Sequence, residues 1–210
     1  MSIMYDLVDV LPDAELDPGT NVLIAGPPLT GKRQLAYEIL TNGAVRNDGS
    51  IVVTTKDSAG KVLERFDDVD ALALDEATIG IVDCVTKQRG IGAVEDDPRI
   101  KYASSPVDMT GIGIKLSEFL QEFYEERGVT ENRVLLDSVS TLLMYSDLQT
   151  VFRFLHVFTG RIQSADAMGV YVIDSTAHDD QTMNTLKQLF DGIVEIEEGD
   201  DPEIRTAGLT

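Results

Sequence analysis

Eight residues, Gly26-Pro27-Pro28-Leu29-Thr30-Gly31-Lys32-Arg33, have the spacing of a loop that cradles a phosphate. Glycines at both ends let the backbone aim its N–H groups at an anion. The N-terminus of a following helix adds its dipole, and Lys32 adds a full charge. The candidate binding set therefore runs through Gly26, Pro27, Pro28, Leu29, Thr30, Gly31, Lys32, Arg33 and Gln34, and its natural ligand is a nucleotide phosphate. The pattern G-x-x-x-x-G-K-S/T is met except at its last position. There Arg33 replaces the hydroxyl that would ligand Mg²⁺, and puts a second cation beside Lys32 that is able to donate to phosphate oxygens.

A second chemical element is Asp137, at the C-terminal end of the apolar run Val134-Leu135-Leu136. Ligands bind at that end of parallel strands, and a carboxylate placed there is the candidate metal ligand, holding Mg²⁺ beside the β- and γ-phosphates. Other reactive residues read as structural. Cys84 is a lone cysteine inside an apolar run, so a buried core residue is the expectation. His156 falls inside an amphipathic helix, and with His178 far away in sequence no zinc set forms. Asp137-Ser138 and Asp174-Ser175 are strand ends first.

The elements that must position these groups alternate. Asn21 to Ala25 is apolar without alternation, as in a central strand covered on both faces. Leu35, Ala36, Ile39 and Leu40 then recur at helical spacing, and Gly43 is placed to end that helix in the left-handed conformation. Strands are expected at 51–55, 79–85, 133–136, 170–173 and 193–196, with a last short one near Ile204. Ser58 is placed to cap a short helix carrying Val62, Leu63 and Phe66. Leu116, Phe119, Leu120 and Phe123 mark a helix closed by Arg127-Gly128. Val151, Leu155, Phe158, Ile162 and Ala165 mark the longest amphipathic stretch, terminated by Gly169. A helix-like segment is expected around Tyr5-Asp6-Leu7-Val8 and a loop from Lys87 to Asp97. Strands alternating with long helices give an α/β fold, a mostly parallel central sheet with helices on both faces, and the length suits a single domain spanning residues 1–210.

The charge sets the surface. Seventeen Lys and Arg against thirty-seven Asp and Glu give a net −20, dispersed as an acidic surface rather than as a tail. Scarce Lys and abundant Asp resemble the balance in proteins of extreme halophiles, so a salt-requiring fold is expected. The field opposes nonspecific binding to nucleic acid or anionic membranes. No stretch reaches the roughly 18 apolar residues of a membrane span, and the N-terminal residues lack a basic, then apolar, leader. A cytoplasmic protein is the expectation.

Gly26 to Lys32, then Ile51-Val52-Val53-Thr54-Thr55-Lys56-Asp57, then Leu135-Leu136-Asp137-Ser138-Val139-Ser140, and Phe190-Asp191-Gly192-Ile193-Val194-Glu195 resemble the successive landmarks of RecA-superfamily P-loop ATPases of the KaiC-like branch. The resemblance spans nearly the whole chain. It implies a RecA-like P-loop domain with an extra strand between the phosphate-loop and Asp137 strands. It also implies ATP as ligand, with Mg²⁺ in question at Arg33, and frequent assembly as a homo-oligomer or with a related ATPase subunit. Several positions depart from the pattern. Leu29 stands where relatives usually have Gly, at a cost of about 1–2 kcal/mol if the position needs positive φ. Lys56-Asp57 stands where relatives carry paired glutamates, leaving Asp57 as the candidate catalytic base. His178 matches a polar γ-phosphate sensor, and Glu203 to Gly208 offers only Arg205 as the basic residue for a neighbouring subunit. These departures favour an ATP-binding regulatory or assembly protein with weak or absent hydrolysis. Two alternatives stand beside it: an active ATPase, a recombination mediator or motor-associated switch completed by a partner, and an interaction scaffold without nucleotide. In each, a protein partner is expected.

Overall fold

The computed structural model describes residues 4–7, 9–11, 15–70, 72–90, 94 and 96–197, with the backbone of 203–206. Near the N-terminus, β1 (Tyr5–Asp6) and β2 (Glu15–Leu16) form a small antiparallel pair in place of the expected helical segment. Tyr5 and Leu16 sit opposite one another and both are buried. Two-residue strands carry too little periodicity to be told from a helix turn; Val8 lies outside the described residues.

The chain then alternates: β3 (Asn21–Gly26), α1 (Lys32–Val45), β4 (Gly49–Thr54), α2 (Ala59–Asp67), β5 (Ile79–Asp83), a one-turn α3 (Thr86–Arg89) and β6 (Ile100–Tyr102). After these come α4 (Met109–Arg127), β7 (Asn132–Asp137), α5 (Val139–Tyr145), α6 (Leu148–Ser164), β8 (Met168–Asp174), α7 (Asp180–Lys187), β9 (Gly192–Glu195) and β10 (Glu203–Thr206). The main sheet has the order β10-β9-β3-β8-β7-β4-β5-β6; β10 runs antiparallel to β9, and the seven others are parallel. Strand β8 lies between the strand that leads into the glycine loop and the strand that ends at Asp137. All residues of β3, β4, β5 and β7 are buried, which is why their sequences lack polar alternation. Two apolar layers flank the sheet, one with Leu35, Ile39 and Leu40 of α1 and one with Leu116, Phe119, Leu155 and Phe158 of α4 and α6.

Two helix C-terminal ends differ from expectation, and one N-cap sits where expected but lacks its side-chain hydrogen bond. Gly43 stays inside α1, because a Cβ there would come within 2.6 Å of Arg133 Cδ. Asn47, at φ 70°, takes the left-handed turn instead. Gly169 lies within β8, and Asp166 at φ 51° follows the end of α6. Ser58 occupies the N-cap of α2 without capping it; Asp83 Oδ2, from the end of β5, accepts from Ala59 N at 2.8 Å. The expected loop from Lys87 to Asp97 begins inside α3, and its residues 91–93 and 95 lie outside the described ones; β6, which follows the loop, was not expected, its three residues being too few to show a period. Among the described residues Arg133 is the largest side chain buried below 2% exposure. It donates to Asp48 Oδ2 at 2.8 Å and to the Ile39 carbonyl at 2.9 Å, tying β7 to α1 and to the turn before β4. Among the described residues no helix is long and apolar enough to cross a membrane.

Candidate functional site

The glycine loop joins β3 to α1 at the C-terminal edge of the parallel strands, where the ends of β4, β7 and β8 also arrive. A Cβ on Gly26 would lie 2.6 Å from the Ile196 carbonyl oxygen, so only glycine fits there. Gly31, the N-cap of α1, has φ 83°, and Leu29 has φ 65° with its side chain fully exposed. Leu29 therefore bears the left-handed strain that a glycine avoids, about 1–2 kcal/mol. Thr30 Oγ1 donates to the Pro27 carbonyl at 2.8 Å and closes the loop on itself.

Lys32 is buried, with its Nζ donating to the Pro27 carbonyl at 2.7 Å and paired with Asp174 Oδ1 at 2.5 Å. Lys56 reaches the other Asp174 oxygen at 3.9 Å. Asp174 is a site residue that the sequence reading passed over as a strand end. The signal was present: Val170-Tyr171-Val172-Ile173-Asp174 repeats the apolar-strand-to-Asp form of Val134-Leu135-Leu136-Asp137 on the neighbouring strand.

Arg33 turns away from the loop and into the acidic residues. Its Nε donates to Asp137 Oδ1 and Oδ2 at 3.1 and 2.8 Å, and its Nη2 to Asp137 Oδ2 at 2.6 Å and Asp57 Oδ2 at 2.8 Å. Asp137 is fully buried, Asp57 is 18% exposed and Arg33 28%. Burial by itself would disfavour the charged guanidinium, but the hydrogen bonds and charges of Asp137 and Asp57 outweigh it and hold Arg33 protonated more firmly than usual. Burial likewise works against ionised Asp57; Arg33, with help from Arg65 and Lys61, prevails and lowers its pKa below 3.8. Asp57 also faces Arg65 at 3.5 Å. Arg65 in turn lies over the Tyr37 ring, 4.8 Å from its centroid. The Tyr37 phenol is buried without a hydrogen-bond partner, and burial, with the Asp137 charge, pushes its pKa up.

His178 does not touch this ion cluster directly. Its Nε2 lies 2.9 Å from Ser140 Oγ, which accepts from Asp174 N at 2.9 Å. One lone pair of that hydroxyl is thus occupied, and its proton is free to point at a neutral imidazole nitrogen. Burial lowers the His178 pKa against the opposing pull of Asp174 and Asp179. Gln34 points elsewhere, donating to Glu38 at 2.9 Å. His156 shows a helix role only, and Cys84 is a buried thiol whose pKa burial raises. The side chain of Arg205 lies outside the described residues.

Four cations, Lys32, Arg33, Lys56 and Arg65, therefore meet three carboxylates, Asp57, Asp137 and Asp174, along one edge of the sheet. In a chain of net charge −20 that edge is locally cationic. A cleft of about 630 Å³ lies at the opposite edge, lined by Tyr5, Leu120, Tyr124 and Asn132. Among the described residues its charged lining is two carboxylates, Glu131 and Asp166, with no cation among them, and the ion cluster sits at the loop edge instead.

The fold is KaiC-like and of the RecA type. An uncharacterized protein from Pyrococcus horikoshii, PH0321, solved in complex with an unknown peptide, superposes with a TM-score of 0.69 and 13% identity, covering 96% of this chain and 97% of its own. The KaiC-like protein PH0186 from Pyrococcus horikoshii OT3 gives a TM-score of 0.64 and 10% identity, over 98% of this chain and 88% of its own. At these identities the likeness speaks for the fold alone. No curated protein matches the sequence. One family model does match, over residues 19–196, from the strand before the glycine loop to the end of β9.

Proposed function

The chain belongs to a family of unknown function, DUF7504, and on that footing we propose that it is a nucleotide-binding regulatory or assembly protein in which hydrolysis is weak or absent. One observation carries the reading: Arg33, next to the phosphate-loop Lys32, bridges Asp137 and Asp57. The loop keeps the parts that favour an anion, namely Gly26, Gly31, the N-terminus of a 14-residue helix and Lys32. The two acidic residues that would serve turnover are engaged elsewhere. Asp57, the candidate base, is held ionised by its cations and is a weak proton acceptor at neutral pH. Asp137 has both oxygens on Arg33.

ATP is the nucleotide that the motif resemblance to KaiC-like ATPases implies, bound by the loop and Lys32, with His178 and Ser140 beside Asp174 as the polar pair closest to a γ-phosphate reader. The assembly half of the reading rests on Leu29, Met144 and Tyr145. All three are exposed apolar residues on segments that follow β3 and β7 at the same sheet edge. Calorimetric titration of the full chain with ATP, ADP and GTP in molar KCl tests the reading. Saturable binding that Lys32→Ala abolishes is expected, together with turnover far below about 1 per second. Turnover at or above that rate refutes impaired hydrolysis, and a flat titration leaves the interaction scaffold.

A further inference from the structure

The acidic pair at the sheet edge already has its cation. Resting on the nucleotide reading above, we propose that Arg33 takes the seat of the divalent metal, so that the site recognises metal-free nucleoside di- and triphosphates. The KaiC-like fold implies Mg²⁺, but the residues present do not fit it. Mg²⁺ demands near-octahedral oxygen ligands at roughly 2.0–2.1 Å. The position that would supply a hydroxyl supplies a guanidinium, and that guanidinium covers both oxygens of the buried Asp137 and one oxygen of Asp57. Among the described residues no group of three or more His, Cys, Asp or Glu side chains is placed to hold a metal ion. A tethered cation with four hydrogen bonds is hard for a dissolved ion to displace, and a divalent ion brought beside it is repelled.

The same guanidinium does electrostatically what the metal does. It stands one residue from Lys32 and places a fixed positive charge beside the loop. The bonds to the carboxylates use Nε and Nη2, which leaves Nη1 to donate to an incoming phosphate oxygen. Lys56 and Arg65 raise the local cation count further. Metal-free ATP carries more negative charge than its magnesium complex, so it suits a locally cationic edge better.

The phosphate seat also has a resident, the Asp174 carboxylate on Lys32 at 2.5 Å. A bound phosphate has to take Lys32 from Asp174, releasing that carboxylate toward Lys56. The site thus carries an internal cation that persists and an internal anion that is exchanged.

The test is calorimetric titration of the full chain with ADP and with ATP in molar KCl, in excess Mg²⁺ and again in EDTA. Binding in EDTA is expected to be equal to, or up to about tenfold tighter than, binding with Mg²⁺. Arg33→Ser, which restores the hydroxyl and frees both carboxylates, should reverse the preference by at least about tenfold. It should also gain a site for Mn²⁺ alone, read by electron paramagnetic resonance against the wild type. If Arg33→Ser fails to fold, Arg33→Lys keeps the charge without the fork and should retain metal independence with weaker binding. Asp174→Asn should tighten metal-free binding by about tenfold by removing the competing anion. Binding by the wild type that appears only with Mg²⁺ overturns the inference and leaves the nucleotide reading standing. No binding under either condition overturns both.

Discussion

Replacing Arg33 with Met tests how much of the fold depends on this ion cluster. The substitution keeps most of the aliphatic stem and removes four hydrogen bonds, three to Asp137 and one to Asp57. Hydrogen bonds to charged groups contribute about 1.5–3 kcal/mol each, but these share a donor pair and are not additive. The decisive quantity is the Asp137 side chain, at 0% exposure, which the substitution leaves as an uncompensated buried charge. Removing one partner of a buried pair costs about 3–5 kcal/mol. Arg33 is 28% exposed, so water replaces part of what is lost and the lower end applies. About 3 kcal/mol in a chain of this size is a fall in Tm of about 6–12 °C. Thermal unfolding followed by circular dichroism in molar KCl measures it. Asp137→Asn in the Arg33→Met background should recover at least half of the loss, because the double variant buries no unpaired charge. A single variant within about 1 °C of wild type, or strictly additive losses, refutes the buried-pair reasoning.

Three further outcomes follow from other parts of the molecule. With a net charge of −20, raising KCl to molar concentration, where the Debye length is about 3 Å, should raise Tm by at least about 4 °C; a flat dependence removes the halophile reading. Gly43→Ala, which in an open helix is worth up to about 1 kcal/mol of stability, should here destabilise by about 1–3 kcal/mol. The new Cβ meets an Arg133 held by Asp48 and Ile39, and an unchanged or higher denaturant midpoint counts against that packing. His178 has a folded pKa below its ordinary 6.5, so the unfolded chain takes up its proton first as pH falls. Stability from this residue is fully present above pH 6.5 and declines as pH drops through that value toward the folded pKa. His178→Gln should flatten the urea midpoint between about pH 7.5 and 5.5, and identical profiles exclude a role for the imidazole.

Much of the positioning framework was legible because a doubly covered parallel sheet leaves a plain trace. β3, β4, β5 and β7 are buried on both faces and read as apolar runs with glycine, turn or charged residues at their ends. The helix of Val151, Leu155, Phe158 and Ile162 was equally plain, since its buried residues are those at the expected spacing. What escaped was set by tertiary contact. Gly43 resembles a terminator, yet it is a space left for Arg133. Arg133 itself, at a strand start, gave no sign of being buried with Asp48. Strands β1 and β6 are too short to show a period.

At the site, the departure at Arg33 and the strain at Leu29 were visible as residue types in a known spacing, and Leu29 has the positive φ that was feared. The direction in which Arg33 points was not visible. Sequence allowed it to reach a phosphate, whereas its partners are Asp137, at a strand end 104 residues along the chain, and Asp57, in the bend after β4. Asp174 ends an apolar strand as Asp137 does, so its placement at the edge was legible, but its partner was not. Its pairing with Lys32 exists only because β8 lies next to β3.

Phosphorus NMR of ATP mixed with an equal amount of the full chain in molar KCl tests binding and turnover in a single sample. The β- and γ-phosphate resonances are expected to shift or broaden on mixing, and to stay so without growth of an inorganic phosphate line. Resonances unchanged from free ATP contradict nucleotide binding. Inorganic phosphate appearing at about 1 per second per chain or faster contradicts a site whose acidic residues are held by Arg33.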